Sequence, residues 1–582
     1  MTDARGIRPR KAAIFAAVVL SIGMITSAAA TATPSSKAAP TGSVRYVKSV
    51  RVCPRPTTPH TMQCYAIAQR AVAKGTPGAR KVAVPAGVGV DKTAAACPHA
   101  DAHGFGPSGL GYTPADLATA YGYNANTSRP HQVIGIVDWH NDPKVKADLN
   151  TFNACYGFPA ETPKSFRVVN QNGHASPLPS QNDKGGSIEI SLDVESARAV
   201  CHTCRILLVE ASTPSDGDLA AAENTAARLG ATEISNSFGR PEGGASKSSL
   251  AAFNHPGVVI TASTGDDGWF GWDFADDSNE DGSQNHASYP ATDSTVVAVG
   301  GTSLAVTPAT GARVAEGVWN NNGIEDNGTA NGDSGATGGG CSKHFTALKA
   351  QSQVSGFNNT GCGTHRLAAD VAAIADPETG LDIVDTDAPS GFALTPAGWF
   401  PIGGTSLASP VTAAMFALAG GSGGAAYPAT SLYTNAALHG TTVYKDILPT
   451  TSVTPPAPGG ATETLTGNSF CNELNLSACG NNLDTAAHTH NPNDLAYNDT
   501  GAWVGLQDCS WPHTKTDVSE STDKTECNAA TGYDGPSGLG TPNNGLGLFT
   551  PTAPAVTATG PAHSKLHHSG SFSAQGTEQA GV

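Results

Sequence analysis

Charge is what this 582-residue sequence has least of: Asp, Glu, Lys and Arg together make up 14% of it. Lys and Arg number 33 against 49 Asp and Glu, so the net charge of −16 reflects scarce bases rather than acidic tracts. A nucleic-acid partner needs basic residues clustered on one face, and none is expected here. Long apolar runs are equally scarce. After residue 30 no segment is apolar for the length that crossing a bilayer requires, so no membrane partner is expected for the mature chain. What the chain has in quantity is 67 glycines, 39 prolines and 39% apolar residues, the mark of a loop-rich globular α/β or β protein.

The one long apolar run stands at the start. Arg5, Arg8, Arg10 and Lys11 precede Ala12 to Ala30, which ends in Thr26-Ser27-Ala28-Ala29-Ala30, small residues of the cleavage-site type. The run is short and interrupted for a membrane anchor, so residues 1–30 read as an export signal and the expected location is extracellular. Twelve cysteines agree with export: Cys53, Cys64, Cys97, Cys155, Cys201, Cys204, Cys341, Cys362, Cys471, Cys479, Cys509 and Cys527. An even count in an exported chain implies disulfides of unstated connectivity, Cys341 with Cys362 being one close candidate. Cys201-His202-Thr203-Cys204 has zinc-site spacing, but no second Cys-x-x-Cys completes it.

Residues 31–104, rich in Pro, Ala and Thr, read as an N-terminal extension or short pro-segment. From about 105 to 420, within a domain expected over 105–552, apolar strand-like runs alternate with helical lengths. The runs are Val133 to Val137, Ile206 to Val209, Ile234 to Phe238, Val258 to Ile260, Val296 to Val299 and Leu381 to Val384. That rhythm predicts an α/β fold with a mainly parallel sheet covered on both faces. Stretches near 313–343 and 448–526, rich in Gly, Asn, Thr and Pro, read as surface loops or insertions. Residues 553–582 read as a disordered tail.

Three segments carry chemistry. Strand-like Trp399-Phe400-Pro401-Ile402 runs into Gly403-Gly404-Thr405-Ser406, where an Ala-rich helix opens. A serine at a helix N-terminus beside glycines suits a nucleophile, since the helix end favours developing negative charge; an ordinary capping serine reads the same way. Pro410 is expected in the first helical turn, where it is tolerated. The nucleophile needs a base, and no histidine occurs in a His-Gly-Thr context; His174 sits in a loop-like stretch. Glu189 and Asp193 stand four apart and share a face if the segment is helical, though surface acids show this spacing too. Asp266 follows the strand-like Val258 to Ser263 in Thr264-Gly265-Asp266-Asp267-Gly268, at the carboxyl end where α/β sites are built.

In order and spacing these segments resemble the sedolisin family of serine-carboxyl peptidases over roughly residues 105–550. The resemblance implies a subtilisin-like three-layer fold with Ser406 as nucleophile, Glu189 as general base, Asp193 supporting it and Asp266 in the oxyanion hole. Ser237-Phe238-Gly239 looks like the strand that pairs with the backbone of protein or peptide substrates. The family's calcium site would draw on the Asp446 and Asp534 carboxylates and the carbonyls of Ile447, Ala530 and Gly532. Leu448-Pro449 departs from the pattern there. So does residues 31–104 as a whole, being too short for the family's large pro-domain. Asp138, which ends the Val133–Val137 strand, reads as a structural or supporting acid. A subtilisin-type pairing of Asp138 with a histidine, and an inactive binding scaffold, stay open as alternatives. The implied product is a monomeric, secreted endopeptidase working at acidic pH.

Overall fold

A computed structural model describes residues 43–54, 56, 58–76, 79–84, 97, 103–181, 184–269, 287–320, 335–448 and 529–552, with two short strands beyond. The expected export signal (1–30) and most of 448–526 lie outside the described residues.

Ten strands lead the chain to the site. They are β1 (Ser43–Arg51), β2 (Gln63–Cys64), β3 (Ile67–Ala71), β4 (Arg80–Val84), β5 (Val133–Trp139), β6 (Phe166–Asn170), β7 (Arg205–Ala211), β8 (Glu233–Asn236), β9 (Phe238–Pro241) and β10 (Val259–Ser263). Every residue of β5 is buried, as an apolar run without polar alternation requires when both faces are covered. β5 lies mid-sheet in an eight-stranded array that runs β6, β7, β5, β8, β10, then Val297–Val306, which pairs with Arg313–Val318 and Val371–Ile374. All its ladders are parallel except that of Arg313–Val318.

Helices cover the sheet in layers. Lys184–Val200 and Thr405–Ala419 pack on each other, the first against β5 and β7, the second against β8 and β10. Asp216–Arg228 packs on β5 and β7 and pairs with the short helix Lys247–Ala252. This is the expected α/β three-layer arrangement.

Several expectations change. Leu381–Val384 is outside the main sheet; it pairs with Trp399–Gly403, which pairs with β3, and β1 joins β3 to β4 in a separate five-stranded antiparallel sheet. The run Ile234 to Phe238 breaks at Ser237, so β8 stays in the main sheet while β9 pairs with β2 and with Ser288–Tyr289. The expected loop 313–343 begins and ends in strands, Arg313–Val318 and Ala336–Thr346. In the tail, Val556–Ala558 pairs with Ala574–Gly576, an antiparallel contact that composition did not signal.

Four disulfides form among the described residues: Cys53–Cys64, Cys97–Cys155, Cys201–Cys204 and Cys341–Cys362. The Cys341 pairing is as expected. Closure of Cys201 on Cys204 leaves that motif no thiolate for zinc. No helix among the described residues is long and apolar enough to cross a membrane.

Candidate active site

Ser406 is the second residue of helix Thr405–Ala419, and Gly404 precedes it at φ 94°, a left-handed value that favours glycine. A side chain at 404 is doubly excluded, because a Cβ there would stand 2.6 Å from Asp266 Oδ2 and 2.1 Å from the Tyr65 carbonyl oxygen. Pro410 is the sixth helical residue, not in the first turn as expected. It deprives the Ser406 carbonyl of its usual i+4 donor, and the Ser237 hydroxyl fills the vacancy at 3.2 Å. Sheet hydroxyls pin this helix start elsewhere too: Ser263 donates to the Thr405 carbonyl at 2.8 Å, and Thr261 to that of Ser409 at 3.2 Å.

Glu189 and Asp193 fall on helix Lys184–Val200, whose residues 186 to 200 are all buried. Surface acids are thereby ruled out. The Ser237 hydroxyl lies 2.8 Å from Asp193 Oδ1 and shares its one proton between this oxygen and the Ser406 carbonyl, so one side chain links the acid to the nucleophile's helix. Neither oxygen of Glu189 has a hydrogen-bond partner. The Ser406 hydroxyl donates instead to the Ser237 carbonyl at 3.0 Å.

Electrostatics tie these acids together. Burial raises the Glu189 carboxyl well above its ordinary range, and the neighbouring Asp138 raises it further. The Ser406 hydroxyl, close by, pulls it back, and Asp266 pushes it up again. Asp193 is raised by burial, then by Asp138 and Glu189, against the Ser237 hydroxyl. Asp138 is itself buried with both oxygens bare and raised by desolvation. Like charges this close in a dry site cannot all ionise, so the three share protons. Asp138 is thus a third member of the cluster, sharper than the supporting role expected of it. Exposed His174 lies in the turn after β6, its backbone tied to Asn170, and takes no part in the cluster.

Asp266 stands across from this cluster. Its Oδ1 accepts from the Thr405 backbone N–H at 2.7 Å and the Thr405 hydroxyl at 2.9 Å, while Oδ2 is bare. Burial pushes its carboxyl up to about 8, against the Thr405 N–H, Arg51 and the Thr405 hydroxyl, with Asp267 adding to the rise. A neutral Asp266 presents an O–H from the side of Gly404.

The expected substrate strand is β9 with Ser237 before it. Its edge pairs antiparallel with β2, Gln63 opposite Gly239 and Cys64 opposite Phe238. Residues 43–84, expected as an extension or short pro-segment, thus reach this cleft through β2.

The two halves of the expected cation site also meet, because Tyr444–Lys445 pairs with Thr541–Pro542. Gly532 N–H donates to Asp446 Oδ2 and Ala530 N–H to Asp534 Oδ2, both at 2.9 Å, while buried Asp446 Oδ1 is bare. Burial pushes the Asp534 carboxyl up to about 8, with Asp446 adding to the rise. Asp534 Oδ1 accepts from the Ser537 N–H at 2.9 Å and the Ser537 hydroxyl at 2.7 Å, so Asp446 Oδ1 is the oxygen left for a hard cation here.

The sequence model of the subtilase family matches residues 170–465, just over half of the chain, a span holding Glu189, Asp193, Asp266 and Ser406. The chain belongs to the subtilase family. Its curated relatives are sedolisins. Kumamolisin of Bacillus sp. (strain MN-32) is 30% identical over 319 residues, 53% of this chain and 51% of that one. Sedolisin of Pseudomonas sp. (strain 101) is 28% identical over 338 residues, 56% of this chain and 53% of that one. The chain therefore spans about half the length of the curated relatives it matches. In overall fold this subtilase is similar to Pseudomonas sedolisin (serine-carboxyl proteinase) complexed with two molecules of pseudo-iodotyrostatin. The TM-score is 0.52 at 23% identity, covering 76% of this chain and 97% of that one.

Proposed function

We propose that this subtilase is an exported serine-carboxyl endopeptidase that hydrolyses protein substrates at acidic pH through an acyl-enzyme on Ser406. The observation that carries the reading is the buried Glu189 carboxyl beside the Ser406 hydroxyl, with buried Asp138 and Asp193 in the same cluster of acids. Its curated relatives point the same way.

The residues divide the work. Rotated from the Ser237 carbonyl to Glu189, the Ser406 hydroxyl gives up its proton as it attacks the substrate carbonyl carbon. Asp138 and Asp193 keep Glu189 basic or let the proton pass on, since the three titrate together. The tetrahedral oxyanion lies between the Ser406 backbone N–H and a protonated Asp266 Oδ2, two donors aimed where charge develops. Glu189 returns the proton to the leaving amine, and water then releases the acyl group. Neutral Asp266 is required, so activity falls as pH rises through its titration.

Asp446, Ile447, Ala530, Gly532 and Asp534 would hold one calcium ion, which would neutralise the two carboxylates and tie residues on either side of 448–526 together. Export is supported by the basic start, the apolar run that follows and the disulfides.

Turnover of an acid-unfolded protein by the purified chain, compared with Ser406→Ala and Glu189→Gln, tests the reading. Both substitutions are expected to abolish or cripple it. Full activity in Glu189→Gln would rule out the carboxylate base, and full activity in Ser406→Ala the nucleophile.

A further inference from the structure

The cleft just described is already filled by the chain's own N-terminal segment. Residues 61–71 cross it, running through β2 and β3. His60 O accepts from Asp216 N–H at 3.1 Å and Met62 N–H donates to the Pro214 carbonyl at 2.8 Å, while Gln63 and Cys64 pair with Gly239 and Phe238. Tyr65 N–H donates to the Ser237 carbonyl at 3.2 Å, and its carbonyl accepts from the Ser406 backbone N–H at 2.8 Å. Beyond it Ile67 and Ala68 pair with Gly403 and Ile402, the strand leading into Ser406. A peptide substrate gripped on both sides of its reacting bond would make these contacts, with its reacting carbonyl on the nucleophile's own N–H.

Side chains support that register. The Tyr65 ring is buried, its hydroxyl 2.7 Å from Ser288 Oγ. Room for the ring depends on Gly239, where a Cβ would stand 2.7 Å from the ring and 2.1 Å from Ser288 Oγ. The loop is also clamped from behind. The Cys53–Cys64 disulfide closes it one residue before Tyr65, Val52 N–H donates to the Ala66 carbonyl at 3.0 Å, and Arg51 forms a buried 2.6 Å ion pair with Asp267.

The geometry points to residues 43–84 being a built-in, disulfide-clamped inhibitor whose reactive bond is Tyr65–Ala66. This inference rests on the peptidase reading above. Ser406 Oγ attacks the Tyr65 carbonyl carbon, the bond to the Ala66 nitrogen breaks, and that nitrogen takes the proton as an amine. Water then hydrolyses the ester, leaving a Tyr65 carboxylate and free Ser406. The cut separates β1 from β3 and β4, yet β1 lies between them and pairs with both. The severed piece therefore stays in place, and cutting alone does not clear the cleft.

Three preparations of the full chain test this: wild type, Tyr65→Glu, and Cys53→Ser/Cys64→Ser, each also made with Ser406→Ala. Mass spectrometry of the wild type is expected to find a new N-terminus at Ala66 that Ser406→Ala abolishes. Tyr65→Glu and the double serine variant should hydrolyse an acid-unfolded protein about tenfold faster than wild type or more, because each dislodges an occupant held at roughly millimolar effective concentration. In the Ser406→Ala background, hydrogen exchange at residues 61–68 should be slow and become fast with Tyr65→Glu. Equal activity in all three preparations, or fast exchange in Ser406→Ala alone, overturns the inhibitor and leaves the peptidase reading standing. Slow exchange with no hydrolysis by any preparation means that the segment docks but the peptidase reading fails, and self-cleavage with it.

Discussion

The Ser406 hydroxyl donates to the Ser237 carbonyl at 3.0 Å, while neither oxygen of the adjacent Glu189 has a partner. The same hydroxyl also holds the Glu189 carboxyl down, so the serine stands beside its proposed base. Glu189→Gln keeps the shape and removes the proton acceptor. It is expected to lower kcat by roughly 10²–10⁴ with little change in KM, as loss of general base catalysis does. Steady-state kinetics on a variant with the cleft opened by Tyr65→Glu would measure it.

Stability should fall as pH rises. Burial pushes Glu233 up to about 8, Glu210 to about 9 and Asp382 to about 7. Between pH 4 and those values the folded chain holds protons that the unfolded chain has released. Their contribution is complete below the unfolded carboxyl pKa and is lost as pH climbs through the folded values. Thermal unfolding of Ser406→Ala is expected to show a higher Tm at pH 4 than at pH 9, and the reverse order would contradict the burial of these acids.

Arg366 and Asp370 form a fully buried bidentate pair, at 2.8 and 2.6 Å. Asp370 also accepts from the Ala298 backbone N–H at 2.7 Å and from the Tyr433 hydroxyl, so it joins the main sheet to the C-terminal helices. Arg366→Ala strands a buried carboxylate and should cost about 3–5 kcal/mol, readable by urea unfolding.

Calcium is expected to raise Tm, and a chelator to lower it, in the Ser406→Ala chain, where no proteolysis confuses the reading. Asp446→Asn should abolish that response while keeping the fold without added metal. A calcium response unchanged in Asp446→Asn would move the ion elsewhere.

Glu189, Asp193 and Ser406 were legible only together: the four-residue spacing fits surface acids and the serine fits an ordinary cap, and it was the order of three segments resembling one family that singled them out. Asp138 was visible as the end of a strand, but its place beside both acids depends on how β5 packs against helix Lys184–Val200, which no spacing encodes. The N-terminal segment was illegible for a stronger reason. β2 and β3 are short, and their partners, Gly239 and Gly403, lie far along the chain. Such strands are specified by the cleft they enter rather than by their own pattern. Misplacing Leu381–Val384 in the main sheet has the same origin, since an apolar run reports burial and not which sheet it joins.

Three of the four described disulfides join cysteines 3, 11 and 21 residues apart. Bridges this local form from near neighbours in an unfinished chain, and closing such short loops demands little search. Oxidation can therefore run ahead of the distant strand pairings that complete the cleft. Refolding from a reduced, denatured state should accordingly be slowed by sheet assembly rather than by disulfide reshuffling.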